Sequence, residues 1–247
     1  MSSLPFGCAE ILAAVAGAGR VLDAGCGSGR LTVALAERGA AVTGVDTDTA
    51  QLEVARGRAR EAGVQLTLVE ADFNGVLPFV DGSFDAVVSR LAVMAADDPL
   101  ATLRELRRTL AAGGRLATAL WAFAEENPWF GKPREAVAAA LGPERAAFAR
   151  AFGRLGDPET AAAIHRQAGL TDVAAEYLRE RRSAPDAARY WRELSEENGH
   201  FRRVAASLDD GRRATLAAEV EVRLAPYREG DHLSLPRALV LVTARSA

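Results

Sequence analysis

The sequence predicts an α/β domain built on a doubly wound, largely parallel sheet. Three observations predict it. Strand-like and helix-like segments alternate from residue 20 to residue 121. The first apolar run, Arg20–Ala24, opens into Gly25-Cys26-Gly27-Ser28-Gly29 and then a helical segment. The second apolar run ends on an acidic residue, Asp46. Short apolar runs bounded by glycine suit strands buried on both faces, and their alternation with helices gives parallel crossover units.

The elements follow in order. Residues 8–16 read as a short amphipathic helix, broken by Gly17-Ala18-Gly19. Residues 28–38 are helical, and Gly39 stops them. Ala41–Asp46 is a second strand, and 48–62 a helix that Asp48 or Thr49 is placed to cap. Residues 65–69 and 84–89 give strands three and four, the latter introduced by the Asp81-Gly82 turn. Residues 99–111 form a helix with Leu100, Leu103, Leu106 and Leu110 on one stripe, ended by Gly113-Gly114. Residues 115–121 are a fifth strand. Beyond Trp121 the pattern changes. Prolines 128, 133 and 143 punctuate helical stretches, and 158–168 is a helix with Asp157 as cap and Pro158 in its first turn. Residues 172–178 suggest a sixth strand, 185–197 and 209–224 further helices, and 239–243 a last strand. The expected organisation is a core at 1–123, a helical cap insertion at 124–170, and the remainder of the fold at 171–247 carrying a helical insertion at 183–226. The helices beyond residue 121 are expected to cover the carboxyl edge of the sheet, where such folds bind ligands.

Composition narrows the function. The 247 residues carry a formal net charge of −3, which does not favour a nucleic-acid partner. Cys8 and Cys26 are the two cysteines, and with three scattered histidines they make no metal-ligand spacing, so no metal is expected. The longest apolar runs fall short of the roughly 20 residues that span a bilayer. There is no signal-peptide pattern at the N-terminus, and the expected location is cytoplasmic.

The glycine turn carries the chemistry. Glycines let the backbone turn tightly and approach a ligand, and the helix that follows presents unpaired N–H groups. Asp46, about 20 residues on, can accept both hydroxyls of a ribose. A dinucleotide site calls for G-x-G-x-x-G so that pyrophosphate can sit on the helix. Here the third glycine comes one residue early, with Arg30 in the expected place, and Asp23 precedes the first glycine by two. A carboxylate there repels pyrophosphate and suits a positive amino group, as in the methionine part of S-adenosylmethionine (SAM). At the end of strand three, Asp72 can accept from an adenine amine and the Phe73 N–H can bond a ring nitrogen. Cys26 in the turn and Thr47 after strand two join this cofactor set.

Five segments resemble the successive motifs of class I SAM-dependent methyltransferases: Val-Leu-Asp-Ala-Gly-Cys-Gly-Ser-Gly (21–29), Val-Thr-Gly-Val-Asp (42–46), Glu-Ala-Asp-Phe (70–73), Ser-Phe-Asp-Ala-Val-Val-Ser-Arg (83–90) and Leu-Ala-Ala-Gly-Gly-Arg-Leu (110–116). The likeness is to the group similar to ubiquinone and menaquinone biosynthesis enzymes, which includes many small-molecule methyltransferases. It implies a Rossmann-like sheet of seven strands in the order 3-2-1-4-5-7-6, the last antiparallel. It implies that Gly25 and Gly27 lie against the methionine part, and that Ser89 and Arg90 lie near the sulfonium and the acceptor. Members usually carry a helical segment before the first strand that helps close the pocket. Here about 20 residues precede it, so a more open site, or a cap supplied from elsewhere, is expected.

Methyl transfer to a small-molecule O, C or N atom is the expected function, with S-adenosylhomocysteine as product. It needs alignment more than catalytic groups, and a base only if the acceptor must lose a proton. His165, His200 and His232 are the available bases. His200, expected in a loop after the helix that carries Trp191, and Arg90, whose fork of donors suits an acceptor carboxylate or oxyanion, are the catalytic candidates. Trp121, Trp129, Phe130 and Trp191 either line an acceptor pocket or pack a cap. Arg179 to Arg182 read as a solvated helix end. Rival readings are a non-catalytic SAM-fold binding or partner subunit, and an NAD(P)-dependent oxidoreductase. The expected partner is a small-molecule acceptor, with a homodimer as an option.

Overall fold

The computed structural model describes residues 4–146 and 153–247. Its strands are β1 (Arg20–Ala24), β2 (Ala41–Asp46), β3 (Leu66–Glu70), β4 (Phe84–Arg90), β5 (Leu110–Trp121), β6 (Thr171–Ala184), β7 (Arg228–Glu229) and β8 (His232–Arg245). Its helices are α1 (Cys8–Ala14), α2 (Arg30–Ala36), α3 (Thr49–Ala62), α4 (Pro99–Thr109), α5 (Pro128–Leu141), α6 (Pro158–Gln167), α7 (Ala187–Glu197), α8 (Gly199–Ala206) and α9 (Asp210–Leu224). The sheet runs β3-β2-β1-β4-β5-β8-β6, with the two-residue β7 added on β8. Leaving that short strand aside, this is the expected order 3-2-1-4-5-7-6. The central strands are parallel, and β8 is antiparallel to β5, pairing Arg115 with Arg245 through Trp121 with Leu239.

The chain divides into two compact units. The first holds Met1–Trp121, Gly153–Leu178 and Leu239–Ala247. One face of its sheet buries Val21, Val42, Ala86, Val88, Ala117 and Leu239 against Ile11 and Leu12 of α1 and Leu31 and Leu35 of α2. Burial of that apolar surface, at about 25 cal/mol per Å², is the main force holding the helices on the sheet. Aspartates set the helix starts. Asp48 accepts from the Ala50 and Gln51 N–H groups, Asp98 from Leu100 and Ala101, and Asp157 from Thr160. Each satisfies donors that a helix leaves orphaned at its first turn.

The second unit holds Ala122–Phe152 and Arg179–Ala238. Its centre is the ring cluster of Trp129, Phe130 and Phe201, all buried, with Trp191 against Phe201. Pro133 lies inside α5 and cannot donate a hydrogen bond to the Trp129 carbonyl four residues earlier. The buried Tyr190 hydroxyl of α7 donates to that carbonyl instead, at 2.7 Å. Residues 147–152, part of the expected 124–170 insertion, lie outside the described residues.

Several boundaries differ from the sequence reading. The helix expected at 99–111 stops at Thr109. Leu110 already pairs with Phe84, the register then slips, and regular pairing resumes at Arg115 with Ala86. Gly113, at φ +70°, sits in that irregularity. His200 is not in a loop: Asn198 accepts from the His200 and Phe201 N–H groups and starts α8 there. Arg179 to Arg182 are not a helix end. They lie in β6, where Arg181 donates to the Ser234 hydroxyl and carbonyl and Arg182 pairs with Glu197. Among the described residues, no helix is long and apolar enough to cross a membrane.

Candidate functional site

The carboxyl ends of β1, β2 and β3 gather the residues singled out by the sequence. The turn after β1 is tied to β2, because the Gly25 and Cys26 N–H groups both donate to the Val45 carbonyl at 2.9 Å. Gly25 has φ +74°, and a Cβ there would lie 2.2 Å from the Cβ of Ala92 and 3.4 Å from the Phe73 ring. Gly29 has φ +77°, and a Cβ there would lie 2.6 Å from the Cβ of Ala55 in α3. Side chains are excluded at both positions by backbone conformation and by close approach. Gly27 differs: nothing lies within 4 Å of the place its Cβ would occupy. The turn is closed where it meets protein and open at Gly27.

Asp46, at the end of β2, joins this turn to the start of α3. Its Oδ2 accepts the Gly27 N–H at 2.8 Å, and its Oδ1 accepts the Asp48 N–H at 3.0 Å. Each oxygen keeps a lone pair for another donor. Thr47 follows it, exposed. Asp72 is exposed, and its Oδ1 accepts both the backbone N–H and the side-chain amide of Asn74 at 2.8 Å. The Phe73 N–H has no hydrogen-bond partner among the described residues, while its carbonyl accepts the Thr102 hydroxyl at 3.2 Å.

Asp23 is 1 % exposed, and its Oδ2 accepts the Thr32 hydroxyl at 2.7 Å. Burial pushes its pKa up to about 6; the Thr32 hydrogen bond and Arg90 oppose the rise, and Asp46 adds to it. Burial, with Asp23 and Asp46 nearby, likewise pushes the Cys26 thiol far up, so it is not a nucleophile at neutral pH. Cys8 is raised to about 11, chiefly by burial.

Ser89 and Arg90 end β4, but both are engaged by backbone. Ser89 is fully buried and donates to the Ala24 carbonyl at 2.8 Å. Arg90 Nε donates to the Phe6 carbonyl at 2.9 Å, which draws the segment before α1 to the end of β4. Gly7 sits directly on Leu239, where a Cβ would be 2.6 Å from Cδ1. After Arg90, Leu91 has φ +66°, and the Met94 sulfur accepts the Trp121 N–H at 3.2 Å. Thr32, Ala92 and Arg58, which grips the Ser28 carbonyl, were not singled out by sequence. Only Thr32 left a signal, a polar residue on the inner face of α2.

The histidines have separate environments. His165 is fully buried, donates from Nδ1 to the Ala161 carbonyl at 2.7 Å and accepts the Thr118 hydroxyl at Nε2, 3.0 Å away. Burial pushes its pKa down to about 4, so it is neutral and structural. His200, in the second unit, is half-buried beside Phe201, and burial followed by Arg203 lowers its pKa. His232 is exposed beside Asp231. Among the described residues, no group of acidic, histidine or cysteine side chains could hold a metal.

Residues 22–118 match the family described as "Methyltransferase domain", from within β1 to within β5. These residues are similar to that domain over about two fifths of the chain. Its relatives include a demethylmenaquinone methyltransferase of Thermus thermophilus, 42% identical over 99 residues, covering 39% of this chain and 44% of the relative. An uncharacterized protein of Mycobacterium tuberculosis is 39% identical over 114 residues, covering 45% of this chain and 41% of that protein. The match thus spans less than half the length of these curated relatives. Among solved structures, a Bacillus halodurans protein described as a candidate methyltransferase is similar with a TM-score of 0.66 at 19% identity, over 97% of this chain and 98% of that one. A geranyl diphosphate C-methyltransferase of Streptomyces coelicolor, bound to Mg2+, geranyl diphosphate and S-adenosylhomocysteine, is similar with a TM-score of 0.57 at 23% identity, over 97% of this chain and 78% of that one. These likenesses show a shared fold that extends over nearly the whole chain.

Proposed function

We propose that the chain is a SAM-dependent methyltransferase that moves a methyl group to an O, C or N atom of a small molecule. The observation that carries this reading is the bond from the Gly27 N–H to Asp46 Oδ2, which joins an open glycine turn to the carboxylate proposed to hold the ribose. Four features fit the group: the space at Gly27, the remaining lone pairs of Asp46, the available Phe73 N–H, and the buried negative charge of Asp23.

SAM supplies a methyl group on a positive sulfur whose departure leaves a neutral thioether. In the proposed arrangement Gly25, Cys26 and Gly27 present backbone to the methionine part, and Asp23 favours its ammonium. Asp46 and Thr47 hold the ribose, and Asp72 and Phe73 flank the adenine. Ser89 acts by fixing the Ala24 carbonyl at the mouth of the turn, and Arg90 by holding Phe6. The chain aligns the acceptor and excludes water, and alignment alone is worth several kcal/mol, up to about 7–11 in well-oriented cases. Acceptor selection is assigned to the helical stretches expected at 124–170 and 183–226, with His200 as the base to test where an acceptor must lose a proton. The same proposal includes a cytoplasmic location, a role in small-molecule biosynthesis and, as the assembly to test by sedimentation, a homodimer.

Isothermal titration with SAM tests the reading. Wild type should bind with one-to-one stoichiometry, and Asp46→Ala should weaken binding by about tenfold or more, the scale of a charge-assisted hydrogen bond. No binding, or unchanged affinity in the variant, overturns it. A second reading, a SAM-fold subunit without turnover, is favoured by one observation: Ser89 and Arg90 both spend donors on backbone carbonyls. Binding of SAM by the chain with no methyl transfer to any of a panel of phenols, amines and carbon acids would support it.

A further inference from the structure

The outer surfaces of α7, α8 and α9 enclose a groove of about 430 Å³ to which none of the cofactor candidates contributes. Its apolar part comes from the half-buried Trp191 and from Ala205. Arg192, Arg202 and Arg213 surround these residues, with Glu196 as the one acidic member. This is a local excess of positive charge on a chain whose formal net charge is −3.

The arginines are unequally committed. Arg202 donates to the Glu196 carbonyl, which fixes one wall. Arg213 donates one Nη to the Leu208 carbonyl at 2.8 Å, and its Nε stands 3.9 Å from Asp210. Arg192 is exposed and has no hydrogen-bond or ion-pair partner among the described residues, and the same is true of the Trp191 indole N–H. An exposed guanidinium beside an aromatic face offers a planar fork to an anion and a cation to a ring. The Trp191 ring packs against Phe201 at 69° with centroids 5.4 Å apart, so its position is set before any ligand arrives.

We propose that this groove binds a flat, apolar small molecule bearing one anionic group. The ring stacks on Trp191, and the carboxylate, sulfonate or phosphate lies between Arg192 and Arg213. The arginines make the groove discriminate by charge, and Glu196 tempers that preference because it repels the same anion. The inference rests on the helical unit alone and stands whether or not the chain binds SAM.

Isothermal titration with 1-naphthoate and the isosteric neutral 1-naphthamide tests it on the full chain. The acid should bind one-to-one, and the amide about tenfold or more weaker, the scale of a lost charge-assisted contact. The double variant Arg192→Gln/Arg213→Gln should lose about tenfold for the acid and leave the amide unchanged. Glu196→Gln should tighten the acid severalfold, a gain that a damaged fold does not produce. Failure of the acid to bind, equal affinity for acid and amide, or no effect of either charge variant overturns the proposal. SAM titration of the same variants should be unchanged, which separates a failure here from a failure at the glycine turn.

Discussion

Thr32 donates its hydroxyl hydrogen to the Asp23 carboxylate at 2.7 Å, one turn into the helix that the glycine turn starts. The bond is the main local compensation for a carboxylate that is 1 % exposed, and it does not offset burial, since the pKa still rises to about 6. A group whose folded pKa exceeds its unfolded value stabilises the fold below the unfolded value and loses that contribution as pH rises through the folded one. For Asp23 the window is from its ordinary 3.8 to about 6. Above it, the free protein carries a burden on the order of 3 kcal/mol. Asp23→Asn should therefore raise the melting temperature of the ligand-free protein at pH 8, with the difference shrinking towards pH 4, and should weaken SAM. Melts of both proteins across that range are the check, and an equal difference at both ends removes the argument.

His165 has the opposite slope. Its folded pKa is depressed from 6.5 to about 4 by burial, so its contribution is present above 6.5 and is lost as pH falls through the folded value. The loss should reach about 3 kcal/mol relative to a neutral replacement. Urea midpoints of wild type and His165→Gln between pH 7.5 and 4 should converge as the pH falls. Asp23 and His165 titrate over overlapping windows with opposing signs, so wild type alone will understate both.

The parallel strands were legible because burial on both faces makes them continuous apolar runs, as in Val21-Leu22 and Val87-Val88. β6 was underestimated because its second half alternates charges, and the partners that make that acceptable, Glu197, Glu229 and Ser234, lie far along the chain. α8 was missed because Asn198-Gly199 reads as a break, whereas Asn198 is a cap. Within the site, the turn and Asp46 were visible because their geometry is local to consecutive elements. Ala92 on Gly25, and Arg90 reaching Phe6 across 84 positions, depend on tertiary approach and leave no spacing to read.

The Trp129 carbonyl gives a stability test in the helical unit. Pro133 denies it a helical donor and the Tyr190 hydroxyl supplies one. Tyr190→Phe leaves a buried acceptor unsatisfied and should cost about 1–3 kcal/mol. In a Pro133→Ala background the helix regains a backbone N–H at that position, so the same change should cost less. Denaturant unfolding of the four proteins gives the coupling, and additive costs would show that the two donors do not serve one carbonyl.

Gly25 and Gly27 separate fold from ligand. Gly25→Ala combines φ +74° with a 2.2 Å approach to the Cβ of Ala92, so the loop from Leu91 onward must shift. It should destabilise the fold by about 1–3 kcal/mol even before any ligand is added. Gly27→Ala meets nothing within 4 Å and carries only the strain of φ +51°, of order 1 kcal/mol. Its melting temperature should fall much less than that of Gly25→Ala. If the space at Gly27 belongs to the methionine part of SAM, the added methyl should nevertheless weaken SAM by tenfold or more, about 1.4 kcal/mol. Thermal melts paired with titration read both quantities on each variant. Full SAM affinity in a folded Gly27→Ala protein would move the cofactor away from the turn on which the functional reading rests.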